Sequence, residues 1–516
     1  MKKKLITEFL LLLILGGLTT LSLPPFNYFI INFFTFSIFL GFLFKKLNKR
    51  NDKKIFFFYG WLFGFGYFLT NLYWITISLT FDKSLNFLIP IALILIPSFL
   101  ALFYGLITLI FCLINPKNIL SAFFGFSVLF GIIEFIRGII LSGFPWNLVI
   151  YSFSKNLSFL SILSIMGTYS LNLIVISFFT VPIIYVLRKS KKEIAICIFF
   201  LLLPIIFYLS GNFQKKQFLK KELNEIPYTV RVVASNITLD RFYNNTHNTE
   251  DIINELISLS SPVSNEKVFY LWPEGIIPNV YQNEIHLYKE IFTQNFDKNH
   301  FIGFGITNKK LFSKEYQFYN SFSIFDYKLN LVENYNKNNL VPFGEFLPLE
   351  NFLKLIGLKV ITNNFGSFTK GKERNIVKIK KNTLEEFKFL PLICYEIIYS
   401  GNLTKNYDFD FIVNISEDGW FGASVGPHQH FAHSIFRAIE NGKYILRSSN
   451  NGISAIINPL GEVEKKIDFG ESGFIDFKMK RDFDKTIYSK YGNKIFLILI
   501  LLYIFLTFSF NRIRNE

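Results

Sequence analysis

Eight long apolar stretches constrain this chain more than any other feature of its sequence. Seven of them begin near residues 5, 28, 55, 86, 119, 159 and 194, and an eighth occupies roughly 494–510. A helix needs about 18 consecutive apolar residues to cross the hydrocarbon core of a bilayer, so each stretch is a candidate membrane span. The sequence therefore predicts a membrane domain of seven transmembrane helices over residues 1–211 and an eighth transmembrane helix over 490–511.

Most of the positive charge lies in the apolar half of the chain. The formal net charge of the chain is +16. Residues 1–211 contribute +12 of it, from 17 Lys or Arg and 5 Asp or Glu. Residues 212–516 contribute only +4, from 37 Lys or Arg and 33 Asp or Glu. The basic clusters lie between or beside the apolar stretches, at residues 2–4, 45–54, 188–192 and 512–514. This distribution indicates cytoplasmic loops rather than a nucleic-acid-binding face. We therefore expect both termini in the cytoplasm and residues 212–490 on the outer side.

From about residue 228 the sequence changes to short β-branched and aromatic runs separated by amphipathic or polar stretches. The predicted strands are Thr229–Ser235, Val268–Trp272, Phe301–Ile306, Phe387–Ile393, Phe411–Ile415 and Ile453–Ile457, and the predicted helices are Thr249–Ser258 and His430–Asn441. Such alternation favours an α/β or layered α+β domain. We expect this domain to occupy residues 228–485 and a polar linker, 212–227, to join it to the seventh span.

Cysteine and intramembrane charge add two further observations. The chain has three cysteines, which excludes a disulfide framework, and Cys394 alone lies in the second half. A buried cysteine is commonly inert core filling, and otherwise it is a candidate nucleophile. Glu134 and Arg137 lie three residues apart within the fifth span, where they form either a functional site or a mutually neutralising structural pair.

Three strand ends in the second half carry residues that together could perform chemistry. An apolar run ends in Glu274 beside a proline, Lys337 follows Tyr335-Asn336, and Cys394 interrupts the run Leu392-Ile393. A thiol needs a base to become a thiolate, and Glu274 is a candidate for that base. Attack on an ester or amide creates an oxyanion, which Lys337 and the backbone N–H after Cys394 are suited to stabilise. Individually, each of these residues is more often structural or solvated.

In this order, Glu274, Lys337 and Cys394 resemble the Glu-Lys-Cys triad of the nitrilase, or carbon–nitrogen hydrolase, superfamily. The resemblance is closest to its membrane branch, the apolipoprotein N-acyltransferases, and covers nearly the whole chain. The motifs that carry it lie at residues 143–146, 272–274, 340–345, 393–396, 418–422, 426–430 and 447–452. Two stretches depart from the family pattern. Glu417 stands where an Asn is common, and the stretch Ala234-Ser235-Asn236-Ile237 lacks the Gln that is often found just before the Asn-Ile pair.

The resemblance implies eight membrane spans and an extracytoplasmic nitrilase-like αββα sandwich. It implies that Cys394 is the nucleophile, Glu274 the general base and Lys337 the oxyanion-stabilising cation. Glu345, Tyr395 and Glu396 are expected to support this triad, and Trp420 and Phe421 are candidates for a wall of the cleft. No metal or organic cofactor is expected, because His428, His430 and His433 are better explained as hydrogen-bonded residues of a loop and helix start.

The implied reaction transfers an acyl chain from a membrane phospholipid to the N-terminal amine of a diacylated apolipoprotein. The implied location is the bacterial plasma (inner) membrane, with the catalytic domain on the periplasmic or outer face. The expected partners are both lipid-anchored substrates and the bilayer, with no nucleic acid. Two alternatives stay open from the residues alone. One is a membrane-tethered amidase that uses water as the second nucleophile, and the other is a non-enzymatic transporter or assembly factor.

Overall fold

A computed structural model describes residues 2–47, 52–242, 248–348, 350, 366–381, 384–401, 403–480 and 484–512. The chain divides into two compact units. The first comprises Met1–Thr76, Phe87–Lys220 and Thr486–Glu516, and the second comprises Ile77–Asn86 and Lys221–Lys485. The apolar stretches and the polar half thus fall into separate units, except that residues 77–86 belong to the second.

The helices of the described chain follow in sequence order. They are α1 (Lys2–Thr19), α2 (Ile31–Leu47), α3 (Lys53–Leu72), α4 (Ile89–Ile114), α5 (Ile119–Arg137), α6 (Leu157–Leu160), α7 (Leu163–Leu187), α8 (Lys191–Lys220), α9 (Thr249–Ser260), α10 (Lys289–Asn295), α11 (Gly426–Asn441), α12 (Ile487–Tyr491) and α13 (Lys494–Arg512).

Among the described residues, seven helical segments are long and apolar enough to cross a membrane. They are Lys4–Ser22, Lys53–Thr80, Lys83–Ile114, Ile119–Arg137, Leu163–Leu187, Lys191–Lys220 and Lys494–Arg512. The stretch predicted near residue 28 forms α2, which has 17 residues. Its length of about 26 Å is less than the roughly 30 Å of a hydrocarbon core. A multi-pass helical membrane unit is confirmed, whereas the count of eight spans stays a prediction.

Small residues bring the first and third helices into close contact. A side-chain carbon added at Gly16 of α1 would lie 1.9 Å from the carbonyl oxygen of Phe63 in α3, and one at Gly66 would lie 2.1 Å from that of Leu13. Helices in lipid associate through such close packing, because apolar burial alone gives no net gain there.

The buried charges of the fifth predicted span are paired. Glu134 accepts hydrogen bonds from Tyr104 Oη at 2.7 Å and from Arg137 Nε at 2.7 Å. Arg137 also donates to the carbonyl oxygen of Phe144, so the pair joins α4 and α5 to the loop that follows α5. Because each charge has a partner of opposite sign, this geometry supports the structural interpretation of the pair.

The second unit contains twelve strands within its described residues. They are β1 (Glu225–Ala234), β2 (Val268–Leu271), β3 (His300–Phe312), β4 (Glu315–Asp326), β5 (Leu331–Asn336), β6 (Val377–Lys381), β7 (Leu384–Ile393), β8 (Phe411–Glu417), β9 (Ile445–Asn450), β10 (Ser454–Ile457), β11 (Val463–Ile467) and β12 (Gly473–Lys480).

The strands form two six-stranded sheets, ordered β12-β1-β2-β3-β4-β5 and β11-β10-β9-β8-β7-β6. In each sheet three central strands run parallel and the outer strands are antiparallel. Aromatic pairs such as Phe269–Phe389, with ring centroids 5.7 Å apart, join the two sheets face to face. Helices α9 and α10 cover the first sheet, and α11 packs on β9 and β10 of the second. The predicted αββα sandwich is therefore confirmed.

The structure extends and corrects the predicted elements. All six predicted strands are present, while β4, β5, β6, β9, β11 and β12 were not predicted. Strands such as β11, with sequence VEKKI, carry polar residues that obscure the apolar signal. The polar stretch predicted as a linker over 212–227 is mostly regular structure, because α8 continues to Lys220 and β1 begins at Glu225. Lys, Gln and Leu in this stretch are strong helix formers.

Candidate functional site

Cys394 lies where β7 ends, at the first residue of the short 3₁₀ turn Cys394–Ile398. Its backbone φ is +48°, a left-handed conformation that costs a residue with a Cβ about 1–2 kcal/mol. The residue is only 8% exposed, and the nearby side chain of Ser416 acts to lower the pKa of its thiol. The strand end therefore presents the thiol in a fixed, strained turn.

Glu274 follows β2 after Trp272-Pro273 and is also buried. Its Oε1 accepts hydrogen bonds from Lys337 Nζ at 3.2 Å and from Asn320 Nδ2 at 2.8 Å. Its Oε2 accepts from the backbone N–H of Glu417 at 3.0 Å. The carboxylate is thus held at both oxygens by groups from β4, β8 and the loop after β5.

Lys337 directly follows β5 and is 1% exposed. Its ammonium lies between two carboxylates, since Nζ is 3.0 Å from Glu345 Oε1 as well as 3.2 Å from Glu274. Asn320 donates to the same Glu345 oxygen at 2.6 Å, and Glu345 Oε2 accepts from the backbone of Val341 at 2.8 Å. Glu345 is therefore held in direct contact with Lys337, and its supporting role stays a prediction.

Burial and mutual charge set the protonation states of this cluster. Burial alone lowers the pKa of Lys337, but the carboxylates of Glu274 and Glu345 outweigh it and hold the pKa well above its usual range. Burial, together with the charge of Glu274, raises the pKa of the Cys394 thiol well above its usual value, although Lys337 acts against that shift. The resting thiol is therefore protonated at neutral pH, and a reaction at sulfur requires a base to remove its proton.

Glu396 is buried and joins the turn that begins at Cys394 to the loop that carries Lys337. Its Oε1 accepts from the backbone N–H groups of Asn338 at 2.9 Å and Asn339 at 3.1 Å, and its Oε2 accepts from that of Ile393 at 2.9 Å. Its Oε1 also accepts from the Tyr335 hydroxyl at 2.7 Å and forms an ion pair with Arg374 at 3.0 Å. Glu396 thus fixes the backbone at the end of β7 relative to the loop that carries Lys337. The neighbouring Tyr395 packs edge-on against Tyr399 with ring centroids 5.6 Å apart.

Behind Cys394 lies a buried polar network that the sequence did not indicate. His430 of α11 donates from Nε2 to the carbonyl oxygen of Cys394 at 3.2 Å, and its Nδ1 is 2.9 Å from Asp418 Oδ1. Asp418 also pairs with Arg447 at 2.7 Å. His430 is therefore hydrogen-bonded through both ring nitrogens. Among the residues the structure describes, no group of three or more His, Cys, Asp or Glu side chains is arranged to hold a metal ion.

The two aromatic residues proposed as a cleft wall have different surroundings. Trp420 contacts Phe81 edge-on at 5.7 Å and stacks on Phe242 at 6.1 Å, between ring centroids. Phe421 instead packs edge-on against the ring of His430 at 5.4 Å. Both side chains are half-buried. Trp420 therefore belongs to an aromatic cluster, whereas Phe421 covers the network behind Cys394.

The structure brings the three predicted triad residues together. It also shows two residues beside Glu274 that the sequence analysis missed. Asn320 bridges Glu274 and Glu345 from the middle of β4, a strand without a clear apolar signal. Gly305 of β3 allows close approach, because an added side-chain carbon would lie 2.5 Å from Glu274 Cα. The Gly-rich run Phe301–Ile306 was the available signal for Gly305.

Comparison with known proteins adds an independent line of evidence. Two family models match the chain, the apolipoprotein N-acyltransferase N-terminal domain over residues 15–181 and carbon-nitrogen hydrolase over residues 236–483. Three similar proteins are each named apolipoprotein N-acyltransferase. The one from Rickettsia prowazekii is 32% identical and covers 98% of each chain. The one from Rhizobium rhizogenes is 29% identical over 90% of this chain and 89% of that protein. The one from Rhodopseudomonas palustris is 28% identical over 95% of this chain and 92% of that protein.

Proposed function

Because the chain belongs to the apolipoprotein N-acyltransferase family, we propose that it acylates lipoproteins through a Cys394 thioester. In this reaction an acyl chain passes from a membrane phospholipid to the free N-terminal amine of a diacylglyceryl-cysteine. The observation that best supports this function is the buried cluster in which Lys337 bridges Glu274 and Glu345 and acts electrostatically on Cys394. That cluster contains a nucleophile, a base and a cation.

In the first half-reaction Glu274 removes the proton from the Cys394 thiol as sulfur attacks the phospholipid ester carbonyl. A carbon–sulfur bond forms, and Lys337 stabilises the negative charge that develops on the carbonyl oxygen. The carbon–oxygen bond of the ester then breaks, and Glu274 returns its proton to the departing lysophospholipid oxygen. The products are a Cys394 thioester and a neutral lysophospholipid hydroxyl.

In the second half-reaction the α-amine of the acceptor attacks the thioester carbonyl. The amine must be unprotonated, and Glu274 takes the proton that it loses as the carbon–nitrogen bond forms. Lys337 again stabilises the oxyanion. The carbon–sulfur bond breaks, and the proton held by Glu274 passes to the sulfur, which restores the starting thiol. Glu274 carries each proton between the reacting groups and Lys337 stabilises each oxyanion, so the scheme requires no cofactor.

Membrane spans suit an enzyme whose two substrates are both anchored in lipid. They tether the catalytic domain to the bilayer and so raise the effective concentration of both substrates. We extend the proposal to the plasma membrane of a bacterium, with residues 228–485 as the catalytic domain on the outer face and both termini in the cytoplasm. The asymmetry of basic residues between loops supports this orientation.

The orientation is tested by two exposed positions that flank α8. A cysteine replacing Glu222 should react with an impermeant thiol reagent added to intact spheroplasts, and one replacing Lys189 should react only after lysis. The native Cys112, Cys197 and Cys394 are buried and give a low background. External labelling at position 189 would place the catalytic domain in the cytoplasm and contradict the proposed orientation.

The covalent intermediate is tested by omitting the acceptor. Purified protein given a phospholipid with a labelled acyl chain should itself become labelled and release about one lysophospholipid per active site, because water competes poorly in a buried site. Neutral hydroxylamine should remove the label, as expected of a thioester. A diacylated lipopeptide should discharge it, whereas the N-acetylated lipopeptide should not.

This experiment also distinguishes the transferase from the membrane-tethered amidase. An amidase would release free fatty acid at the same rate with or without the lipopeptide. Normal transfer to the lipopeptide without any hydroxylamine-sensitive label on the protein would contradict the thioester mechanism.

A further inference from the structure

Glu417 is the residue at which the chain departs from the Asn expected from its family resemblance. It is the last residue of β8, and its backbone N–H is the donor that binds Glu274 Oε2 at 3.0 Å. Its side chain is 3% exposed and therefore carries its charge within the protein interior. The main chain of this residue thus contacts the proposed base directly, and its carboxylate lies close by.

The Glu417 carboxylate is fully engaged by its neighbours. Its Oε2 accepts hydrogen bonds from Arg241 Nη2 and from Asn450 Nδ2, the latter at 2.7 Å, and its Oε1 accepts from the backbone of Gly419 at 2.9 Å. Burial raises the pKa of the Glu417 carboxyl, and the charge of Arg241 acts against this shift. An ionised Glu417 therefore depends on Arg241.

Arg241 is held equally firmly in the segment that follows β1. It is 1% exposed and donates from Nη1 to the carbonyl oxygens of Ile237 at 3.1 Å and Thr238 at 2.9 Å. Its guanidinium also lies 4.4 Å from the ring centroid of Phe242, which stacks on Trp420. The pair therefore connects the segment after β1 to the end of β8, where the Glu417 N–H meets Glu274.

We infer that Arg241 and Glu417 form a positioning pair that fixes the backbone donor to Glu274 while keeping this side of the base electrically neutral. This inference rests on the proposed role of Glu274 as the base. The charged groups in contact with Glu274 or with its partners are Lys337 and Glu345. At Glu274 Oε2 the contact is the backbone N–H of Glu417, whose own carboxylate pairs with Arg241. Asp418, with Arg447 and His430, lies behind Cys394.

Removing one member of the pair leaves a charge beside the catalytic cluster. In Glu417→Gln the Arg241 guanidinium has lost its counter-ion, and arginine cannot neutralise itself by losing a proton. In Arg241→Met the buried Glu417 can instead take up a proton, which limits the effect of that variant. In the double variant Arg241→Met/Glu417→Gln neither charge remains, and the backbone of residue 417 is still present to donate to Glu274.

The test measures the alkylation rate of Cys394 by iodoacetamide against pH in the full-length protein, followed by mass spectrometry. Glu417→Gln should move the alkylation profile to lower pH by about one unit, because an unpaired cation favours the thiolate. Arg241→Met should leave the profile in place or move it to higher pH. The double variant should return the profile to the wild-type position, and Arg241→Lys should keep it there.

Acyl transfer gives the second readout in the same variants. Glu417→Gln should lose about tenfold or more in kcat, since an adjacent cation weakens Glu274 as a base, and the double variant should recover most of that loss. The matched control is Arg231–Asp476, an ion pair of 2.8 Å between β1 and β12. Arg231→Met and Asp476→Asn should leave the alkylation profile unchanged even if they lower the melting temperature.

The inference is overturned if Glu417→Gln leaves the alkylation profile at the wild-type pH, or if the double variant stays displaced with Glu417→Gln. If Glu417→Gln does not fold, the double variant alone tests the inference. An alkylation profile of the double variant that is displaced from the wild-type pH contradicts the inference. Alkylation of Cys394 needs neither lipid substrate. Failure of the wild-type protein to transfer acyl groups would therefore refute the proposed function while leaving this test intact.

Discussion

Replacing Cys394 by alanine is expected to abolish acyl transfer and the hydroxylamine-sensitive label together. The neighbouring Ser416 hydroxyl does not replace the thiol, because it already donates to Asp418 at 2.7 Å. Loss of a covalent nucleophile removes the whole two-step route and leaves only binding and oxyanion stabilisation. The measurement is transfer of labelled acyl chain to a diacylated lipopeptide by purified protein in lipid.

Two sets of variants serve as controls for this result. Cys112→Ala and Cys197→Ala change the other two buried cysteines, both in the membrane unit, and should keep full activity. Cys394→Gly should unfold no more easily than Cys394→Ala, because glycine tolerates the φ of +48° without strain. Full transfer by Cys394→Ala would eliminate the covalent mechanism altogether.

Lys337→Met is expected to reduce kcat by about 10²–10³, the range measured when one oxyanion donor is removed. Stability should fall as well, because Glu274 and Glu345 are left in the interior without the ammonium that lies between them. Breaking a buried ion pair typically costs about 3–5 kcal/mol in the free energy of unfolding. The two measurements are single-turnover acyl-enzyme formation and the midpoint of denaturant unfolding.

The double variant Lys337→Met/Glu345→Gln separates these two effects. Removing the Glu345 charge relieves the repulsion between the carboxylates, so part of the lost stability should return. Activity should not return, since the cation is still missing from the oxyanion site. If the double variant recovered both stability and activity, Lys337 would be structural and its assignment as the oxyanion stabiliser would be wrong.

The membrane segments could be predicted from the sequence because the signal is local. A run of about 18 apolar residues is a property of consecutive positions, whatever the rest of the chain does. The same is true of strands β2, β7 and β8, which are apolar over most of their length. The antiparallel strands β6 and β11 escaped prediction, because more than half of their residues are charged, and a helix or a loop tolerates such residues equally well.

The family resemblance pointed to Glu274, Lys337 and Cys394 and to Glu345 beside them, but it did not single out the other residues that contact them. Asn320 was not singled out, and Glu417 was noted only as a departure from the family pattern, without Arg241 as its partner. The contacts that give these residues meaning join positions far apart in the chain: 46 residues separate Asn320 from Glu274, and 143 separate Glu417 from Glu274.

What the sequence alone determined is therefore the class of protein and its apolar helices, together with a prediction of which three residues react. What only the tertiary structure decided is how that trio is held and charged. Glu274 follows a strand of one sheet, whereas Cys394 and Glu417 lie at strand ends of the other. Their distances depend on how the two sheets pack and on the register of each strand. Those properties arise from contacts throughout the domain, so no local pattern of residues encodes them.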